Sequence, residues 1–379
     1  MKTVKISGNC AEAIVYTTDN AGTALDEYAI AQLKMLTDNP AAAGSKIRVM
    51  PDVHPGKVCT IGLTITVGER ILPEVVGIDI GCGMTLAKLK KFRPEYPRLD
   101  KVIAENVPAG SNLRKKVHHL AEEFDFDRLE AARHIRRDRA LLSLGTLGGG
   151  NHMLEIDFDD EKNAYLAVHS GSRHLGKELT EYYLSAGQKI LKARGEEVPY
   201  ELTYLEGELM ASYLHDLEIV QEYAALNRRI MIEEICKAMK WKVEELLSCH
   251  HNYVDFRDGQ PMLRKGAISA RKDELVIIPI NMRDGILLGK GKGNEAWNQS
   301  APHGAGRIMK RVDVAGRYTV SDFKREMKGI YSPSIGKDTL DEAPFAYRGL
   351  DEIREAIADT AEVTKVLRPA YNFKAGREE

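Results

Sequence analysis

The chain opens on short apolar alternations. Residues 3–7 and 11–16 place apolar side chains at every second position, the period of a half-buried strand. From Gly22 to Met35 the spacing changes: Ala24, Leu25, Ala29, Leu33 and Leu36 recur three and four apart, which predicts an amphipathic helix. Strand patterns return at 47–53 and 58–67. An apolar run from Ile71 then leads into Val76-Gly-Ile-Asp-Ile-Gly-Cys-Gly-Met84 and out through Thr85, Leu86 and Ala87. Residues 96–144 read as helical and 164–168 as a short buried strand. Helices are expected over 174–193 and 206–239. In the second of these Met210, Tyr213, Leu217, Val220, Ala224, Met231 and Ile235 form a core-facing stripe, with a gap at Asn227. Strands follow at 275–280 and 285–289 and a helix near 350–361, while 194–206 and 329–346 read as loops. Strands on both sides of a helical block predict a single α+β domain over 1–379, with a helical insertion at about 174–249.

Composition narrows the class. The chain has 379 residues, 43% of them hydrophobic, enough for a sizeable core, and a formal net charge of -2. A nucleic-acid surface would therefore have to be a local patch. No run of about 18 apolar residues exists, so no membrane span is expected. The first residues lack the apolar core of a secretory signal. Five cysteines form no Cys-x-x-Cys pair and no disulfide spacing, which points to a reducing, cytoplasmic setting.

The candidate chemistry lies where apolar strands meet glycines. Asp79 and Cys82 are three residues apart among Gly77, Gly81 and Gly83, a loop able to aim a carboxylate and a thiolate at one point. His54, His152, His169, His251 and His303 all fall at strand ends or beside Gly-rich loops, whereas His118, His119, His134 and His215 sit on charged patterns expected at the surface. A site of Asp, Cys and His could hold one ion, or two sharing the thiolate. Zinc suits thiolate and imidazole, and the carboxylate keeps manganese open. A histidine that is not a ligand could serve as a nucleophile toward a phosphoanhydride. In Met50-Pro-Asp-Val-His54, Asp52 and His54 share one side if the backbone is extended. Gly145–Gly150 runs into Asn151-His152 without a Walker ending. Gly289-Lys-Gly-Lys-Gly-Asn294 suits phosphate, and His303 stands at what reads as a helix start.

Seven segments then occur together: Met-Pro-Asp-Val-His, Gly-Ile-Asp-Ile-Gly-Cys-Gly-Met, Gly-Asn-His, His-Ser-Gly-Ser-Arg, Cys-His-His-Asn-Tyr, Gly-Lys-Gly-Asn and His-Gly-Ala-Gly-Arg. In content and order they resemble the RtcB family of RNA-splicing ligases, from about residue 47 to the C-terminus. The resemblance implies an α+β domain of mixed and antiparallel sheets around a metal site. It implies a GTP- and Mn²⁺-dependent ligase joining an RNA 3′-phosphate or 2′,3′-cyclic phosphate to a 5′-hydroxyl through a histidine–GMP intermediate. By motif position His303 would be the nucleophile. Cys82 would bridge two Mn²⁺ ions, Asp79 and His152 completing one shell and His169 and His251 the other. Asn151, Glu155, the backbone of Gly304, Ala305 and Gly306, Arg307 and Lys374 would contact the nucleotide. Arg173, Arg136 and Arg137 would grip RNA.

The chain also departs from that pattern. Where typical members carry Pro-Gly-Ser-Met-Gly, it reads Pro279-Ile280-Asn281-Met282-Arg283, without the serine that helps hold the nucleotide. His174 replaces a glycine, and Val58-Cys59-Thr60-Ile61 replaces an aromatic run. It is shorter than archaeal and eukaryotic members and similar to a bacterial branch associated with RNA repair. Two other classes share the motifs: a metal-dependent cyclic-phosphate phosphoesterase that does not ligate, and a non-catalytic RNA-binding relative. Nothing in the sequence demands more than a monomer, and nothing identifies an activator.

Overall fold

In a computed structural model, residues 1–17 and 25–376 are described. Two sheets dominate. The six-stranded sheet runs Lys2–Ser7, Glu12–Thr17, Ile47–His54, Ile61–Thr66, Met262–Lys265, Asn252–Asp255. The seven-stranded sheet runs Lys242–His250, Gly83–Lys90, Ala164–Ser170, Met153–Phe158, Ala361–Phe373, Gly285–Gly291, Leu275–Asn281. Every pairing is antiparallel except that of Glu12–Thr17 with Ile47–His54, which is parallel. This is the expected mixed α+β architecture.

A helix of 33 residues, Gly207–Met239, ties the sheets together. Its stripe is buried as the spacing predicts, and it serves two cores. Tyr213, Leu217, Val220 and Tyr223 pack with Val15, Ile47, Leu63 and Ile65. Met231, Ile232, Ile235 and Met239 pack with Ala87, Leu154, Ile156, Leu166 and Val168. The helix ends at Lys240, whose left-handed backbone (φ 58) halts it. Among the described residues, no helix is long and apolar enough to cross a membrane.

Several elements differ from the sequence reading. The helical block stops at Met239, and Lys242–His250 is a strand. Lys-Val-Glu-Glu-Leu-Leu has helical composition, but its backbone pairs along Gly83–Lys90, and tertiary pairing overrides propensity. Residues 96–144 hold two α-helices, Tyr96–Asn106 and Arg137–Ser143, joined through short 3₁₀ turns. Pro73–Val76 is a helical turn. Met153–Phe158 and the 13-residue strand Ala361–Phe373, neither of them foreseen, lie inside the seven-stranded sheet. The first helix is Glu27–Asp38, and its expected start at Gly22–Ala24 lies outside the described residues.

Candidate functional site

Strand register collects the candidate ligands. His169 lies opposite both Met84 and Met153. Cys82 and His152 are therefore each one residue before the start of a strand flanking His169. His250 pairs with Gly83, so His251 arrives at the same level. His251 is also the single residue between Lys242–His250 of one sheet and Asn252–Asp255 of the other. Its N–H donates to Cys82 O at 2.8 Å. Asp79 enters from the preceding turn, against Gly171. A Cβ at 171 would fall 2.1 Å from Asp79 Oδ1, so only glycine leaves room.

The result is a buried cluster. Cys82 Sγ lies 3.5 Å from His152 Nε2 and 3.3 Å from His169 Nε2. His152 Nε2 is 3.0 Å from Asp79 Oδ2, and His169 Nε2 is 3.2 Å from His251 Nε2. The carbonyl partners assign the tautomers. His152 Nδ1 faces Leu147 O at 2.8 Å and His169 Nδ1 faces Asn151 O at 3.1 Å, so both Nδ1 atoms carry the proton. His152 Nε2 then faces the Cys82 sulfur and the Asp79 carboxylate, and His169 Nε2 faces the same sulfur and His251 Nε2. Imidazole nitrogens, a sulfur and a carboxylate gathered in one buried place form a donor set that fits a metal cation. Burial and the neighbouring histidine His152 hold His169 well below its usual range; burial, with His303 and His169 nearby, does the same to His251. Burial and Asp79 push the Cys82 thiol up. Burial also opposes ionisation of Asp79, but its hydrogen bond to His152 and the charges of His152 and Arg173 outweigh this and hold the carboxyl below its ordinary range.

A second grouping, His118, His119 and Glu233, lacks that character. Contrary to the surface expectation His118 is buried. Its Nδ1 accepts the Leu120 N–H and its Nε2 faces Glu234, so neither nitrogen offers a free lone pair.

The cluster opens onto a cleft of ≈ 970 Å³ between the sheets, with Asp79, Cys82, His169, His251 and His303 in its lining. His303 follows the short strand Ser300–Pro302 and lies in a loop; the next helix starts at Arg311, so the expected helix start is not there. Its Nδ1 is 2.8 Å from the fully buried Asp52 Oδ2, and its ring centroid is 4.9 Å from that of His251. The buried aspartate fixes Nδ1–H and leaves the Nε2 lone pair for the cleft. His54 lines the cleft too, and burial first, then the charge of His303, lowers it to about 3.

Gly304, Ala305 and Gly306 line the cleft, and their N–H groups donate to no acceptor among the described residues. Gly306 has φ +66, and a Cβ there would lie 2.3 Å from Asp52 O. Asn151 lines the cleft beside Lys374, whose Nζ lies 3.0 Å from Glu342 Oε2 and 3.4 Å from Asn151 O. Arg307 is held by Tyr347 Oη at 2.9 Å and Asp341 O at 2.6 Å. Glu155 is not in the lining. It is buried on its strand, bonded to Asn372, and burial raises it to about 7. Arg136, Arg137 and Arg173 do not line the cleft either. Arg136 bonds Glu178 and His174, which accounts for the histidine at 174. Arg137 pairs with Asp127, and Arg173 with Gly110 O and Thr146 Oγ1. The Gly289–Asn294 segment is a strand end whose Lys292 bonds Ala358 O, away from the lining.

The gap at Asn227 hides what sequence reasoning missed. Asn227 and Arg228 are fully buried. Asn227 accepts the N–H groups of Gly145 and Thr146 at 2.7 and 3.1 Å and donates to Thr146 O and Gly171 O, pinning the loop before His152. Arg228 donates to Gly81 O at 2.9 Å, Ser170 O at 2.8 Å and Thr85 Oγ1 at 2.9 Å, holding the residues beside Cys82 and His169. A polar pair interrupting an apolar helical stripe was its sequence signal. Arg228→Met is expected to weaken metal binding about 10- to 100-fold, the range found when a ligand loses its outer support. Metal titration of the folded variant measures this, and unchanged affinity would show that Arg228 does not position the ligands.

Comparison with known proteins bears on this site. A family model described as tRNA-splicing ligase RtcB matches residues 32–133 and 119–375. The chain is 32% identical over 369 residues to the RNA-splicing ligase RtcB of Escherichia coli (strain K12), covering 86% of this chain and 90% of that protein. It is 26% identical to RNA-splicing ligase RtcB2 of Escherichia coli (strain ATCC 25922), covering 95% of each chain. It is 27% identical to the tRNA-splicing ligase RtcB of Archaeoglobus fulgidus, covering 91% of this chain and 90% of that protein.

Proposed function

The chain belongs to the RtcB family, and from that premise we propose that it is an RNA ligase that joins RNA 3′-phosphate or 2′,3′-cyclic phosphate ends to 5′-hydroxyl ends, using GTP and Mn²⁺. The observation that carries this reading is the pairing of a lone-pair-rich cluster with a histidine that belongs to the cleft but not to the cluster. His303 has its Nδ1 tied to Asp52.

In this reading His303 Nε2 attacks the α-phosphorus of GTP. A P–N bond forms, the bond to pyrophosphate breaks, and pyrophosphate leaves. Asp52 stabilises the positive charge that develops on the ring. The N–H groups of Gly304, Ala305 and Gly306, with Lys374, receive phosphate oxygens. An oxygen of the RNA 3′-phosphate then takes the GMP from His303, and the 5′-hydroxyl displaces GMP to close the phosphodiester. A cyclic end is first opened by water. Two Mn²⁺ ions held by Asp79, Cys82, His152, His169 and His251 would supply charge neutralisation on the phosphates. Asn151, Arg307 and Lys374, which line the cleft, are the nucleotide contacts of this reading. The setting is a reducing cytoplasm, where the Cys82 thiol stays free to bind metal, and the role is RNA repair by a single domain acting as a monomer.

In this reading base selectivity would be set beside the 279–284 turn. The turn replacing the family's serine is closed on itself: Asn281 Oδ1 accepts the N–H groups of Arg283 and Asp284, and Asn281 Nδ2 donates to Asp284 at 2.9 Å. Pro279 to Met282 line the cleft. The test is incubation with α-labelled GTP or ATP and Mn²⁺, reading label retained on denatured protein. Label from GTP supports the reading, and label from ATP alone would overturn the guanine assignment. No label, with metal bound, would favour a phosphoesterase.

Asp52→Asn is expected to slow labelling by about 10²- to 10⁴-fold, as loss of an orienting carboxylate does at other histidines. Metal content should stay as in the parent protein. Labelling at the parent rate would remove Asp52 from the mechanism.

A further inference from the structure

One end of the cleft is not used by the chemistry above. Its lining reaches Tyr28, on the first helix, and the Ile308–Asp313 segment facing it. Large apolar surface is exposed there. Of the lining residues, Tyr28 is 64% exposed and Ile308 53%. Lys310 Nζ sits 4.1 Å from the centroid of the Tyr28 ring. The backbone of Tyr28 is fixed, since its N–H donates to Asp26 Oδ1 at 2.8 Å and thereby engages that carboxylate. Lys57 and Arg317 also line the cleft and form no ion pair among the described residues.

An exposed aromatic face beside apolar side chains and unpaired cations, at the mouth of a phosphate-transferring site, has the chemistry that receives single-stranded nucleic acid. Bases stack on the ring, and ammonium and guanidinium groups track the backbone. The ammonium over Tyr28 marks an electron-rich face, and a base stacking there would displace the ammonium and free Lys310 for phosphate. We propose that Tyr28 is a stacking platform for a nucleobase near the reacting end of the RNA, with Lys310, Lys57 and Arg317 taking the adjoining phosphates. This rests on the ligase reading for its substrate and adds the place where the strand enters.

The site is sequence-tolerant, because every base has a π face. A double-stranded end cannot use it without fraying. A single-stranded overhang is therefore the preferred substrate form.

The experiment uses the full chain and a short single-stranded RNA with a 3′-phosphate and 2-aminopurine at or next to that end. Binding is followed by anisotropy and stacking by quenching of 2-aminopurine fluorescence. Tyr28→Ala is expected to weaken binding about 5- to 150-fold, the fold-change equivalent of about 1–3 kcal/mol per stacked base, and to abolish the quenching. Tyr28→Trp should restore both, whereas Tyr28→Leu, apolar but without a π face, should not. Lys310→Ala should reduce the slope of affinity against salt concentration.

Parent-level affinity and quenching in Tyr28→Ala would overturn the proposal, as would equal rescue by leucine. No GTP is needed, so failure of nucleotide labelling in the parent protein would sink the ligase reading without deciding this one. Quenching lost in Tyr28→Ala would support the platform even then.

Discussion

His303→Ala is expected to leave no GMP on the denatured protein after incubation with α-labelled GTP and Mn²⁺, a loss of at least about 10³-fold, as for removal of other covalent nucleophiles. The size follows from the geometry. His303 is the cleft histidine whose Nδ1 is engaged by a buried carboxylate, and that leaves its Nε2 lone pair free to attack. His251, its neighbour at 4.9 Å between ring centroids, cannot replace it, because its Nε2 faces His169 in the cluster. His54 also lines the cleft and is expected to leave labelling dependent on His303. Retained label in His303→Ala would transfer the nucleophile's role to another residue. Retained cyclic-phosphate opening with lost label would separate the two chemistries, since opening needs water and metal but no covalent histidine.

Cys82→Ser is expected to lower Mn²⁺ affinity by more than about 100-fold, beyond the effect of losing a mere outer partner of a ligand. Labelling should be lost with the metal. The substitution is nearly isosteric but replaces a group that metals ionise readily with a hydroxyl that stays protonated. Cys82 Sγ stands between the Nε2 atoms of His152 and His169 at 3.5 and 3.3 Å, so a metal-bound thiolate there would serve both sides of the cluster. The metal-free variant should melt close to the metal-free parent, because the volume change is small and no hydrogen bond to protein is removed that a hydroxyl cannot make. Cys10→Ser, at a cysteine whose thiol donates to Asp38 O, should bind metal as the parent does. Unchanged metal binding in Cys82→Ser would exclude the thiolate as a ligand.

Much of this site was legible before folding. Asp79, Cys82, His169 and His303 each sit where an apolar strand meets glycine, and such ends are where a sheet presents side chains to a site; His251 stood out by its histidine and its motif, not by a predicted strand. His54 and Asp52 were placed on one side by strand alternation, but only the fold shows Asp52 beneath His303. Arg228 left only the break in the helical stripe as its trace. An arginine in a long helix reads as solvated, and its partners, Gly81, Ser170 and Thr85, are backbone and hydroxyl groups that leave no pattern. Arg136 and Arg137, singled out by their basic run, lie outside the cleft lining and pair with Glu178 and Asp127.

Local residue choice by itself determined that segments such as 12–17 are extended and that the stripe from Tyr213 to Ile235 is helical, and it supplied the side chains whose chemistry could serve a metal or a nucleophile. It also determined the family. The tertiary structure alone decided that Lys242–His250 is a strand, that Ala361–Phe373 is inserted between two others, and that His251 falls at the junction of the sheets. Those outcomes depend on hydrogen-bond partners far away in the chain. A residue's own side chain sets its local preference, but pairing energy across a sheet is shared between segments that no local pattern connects.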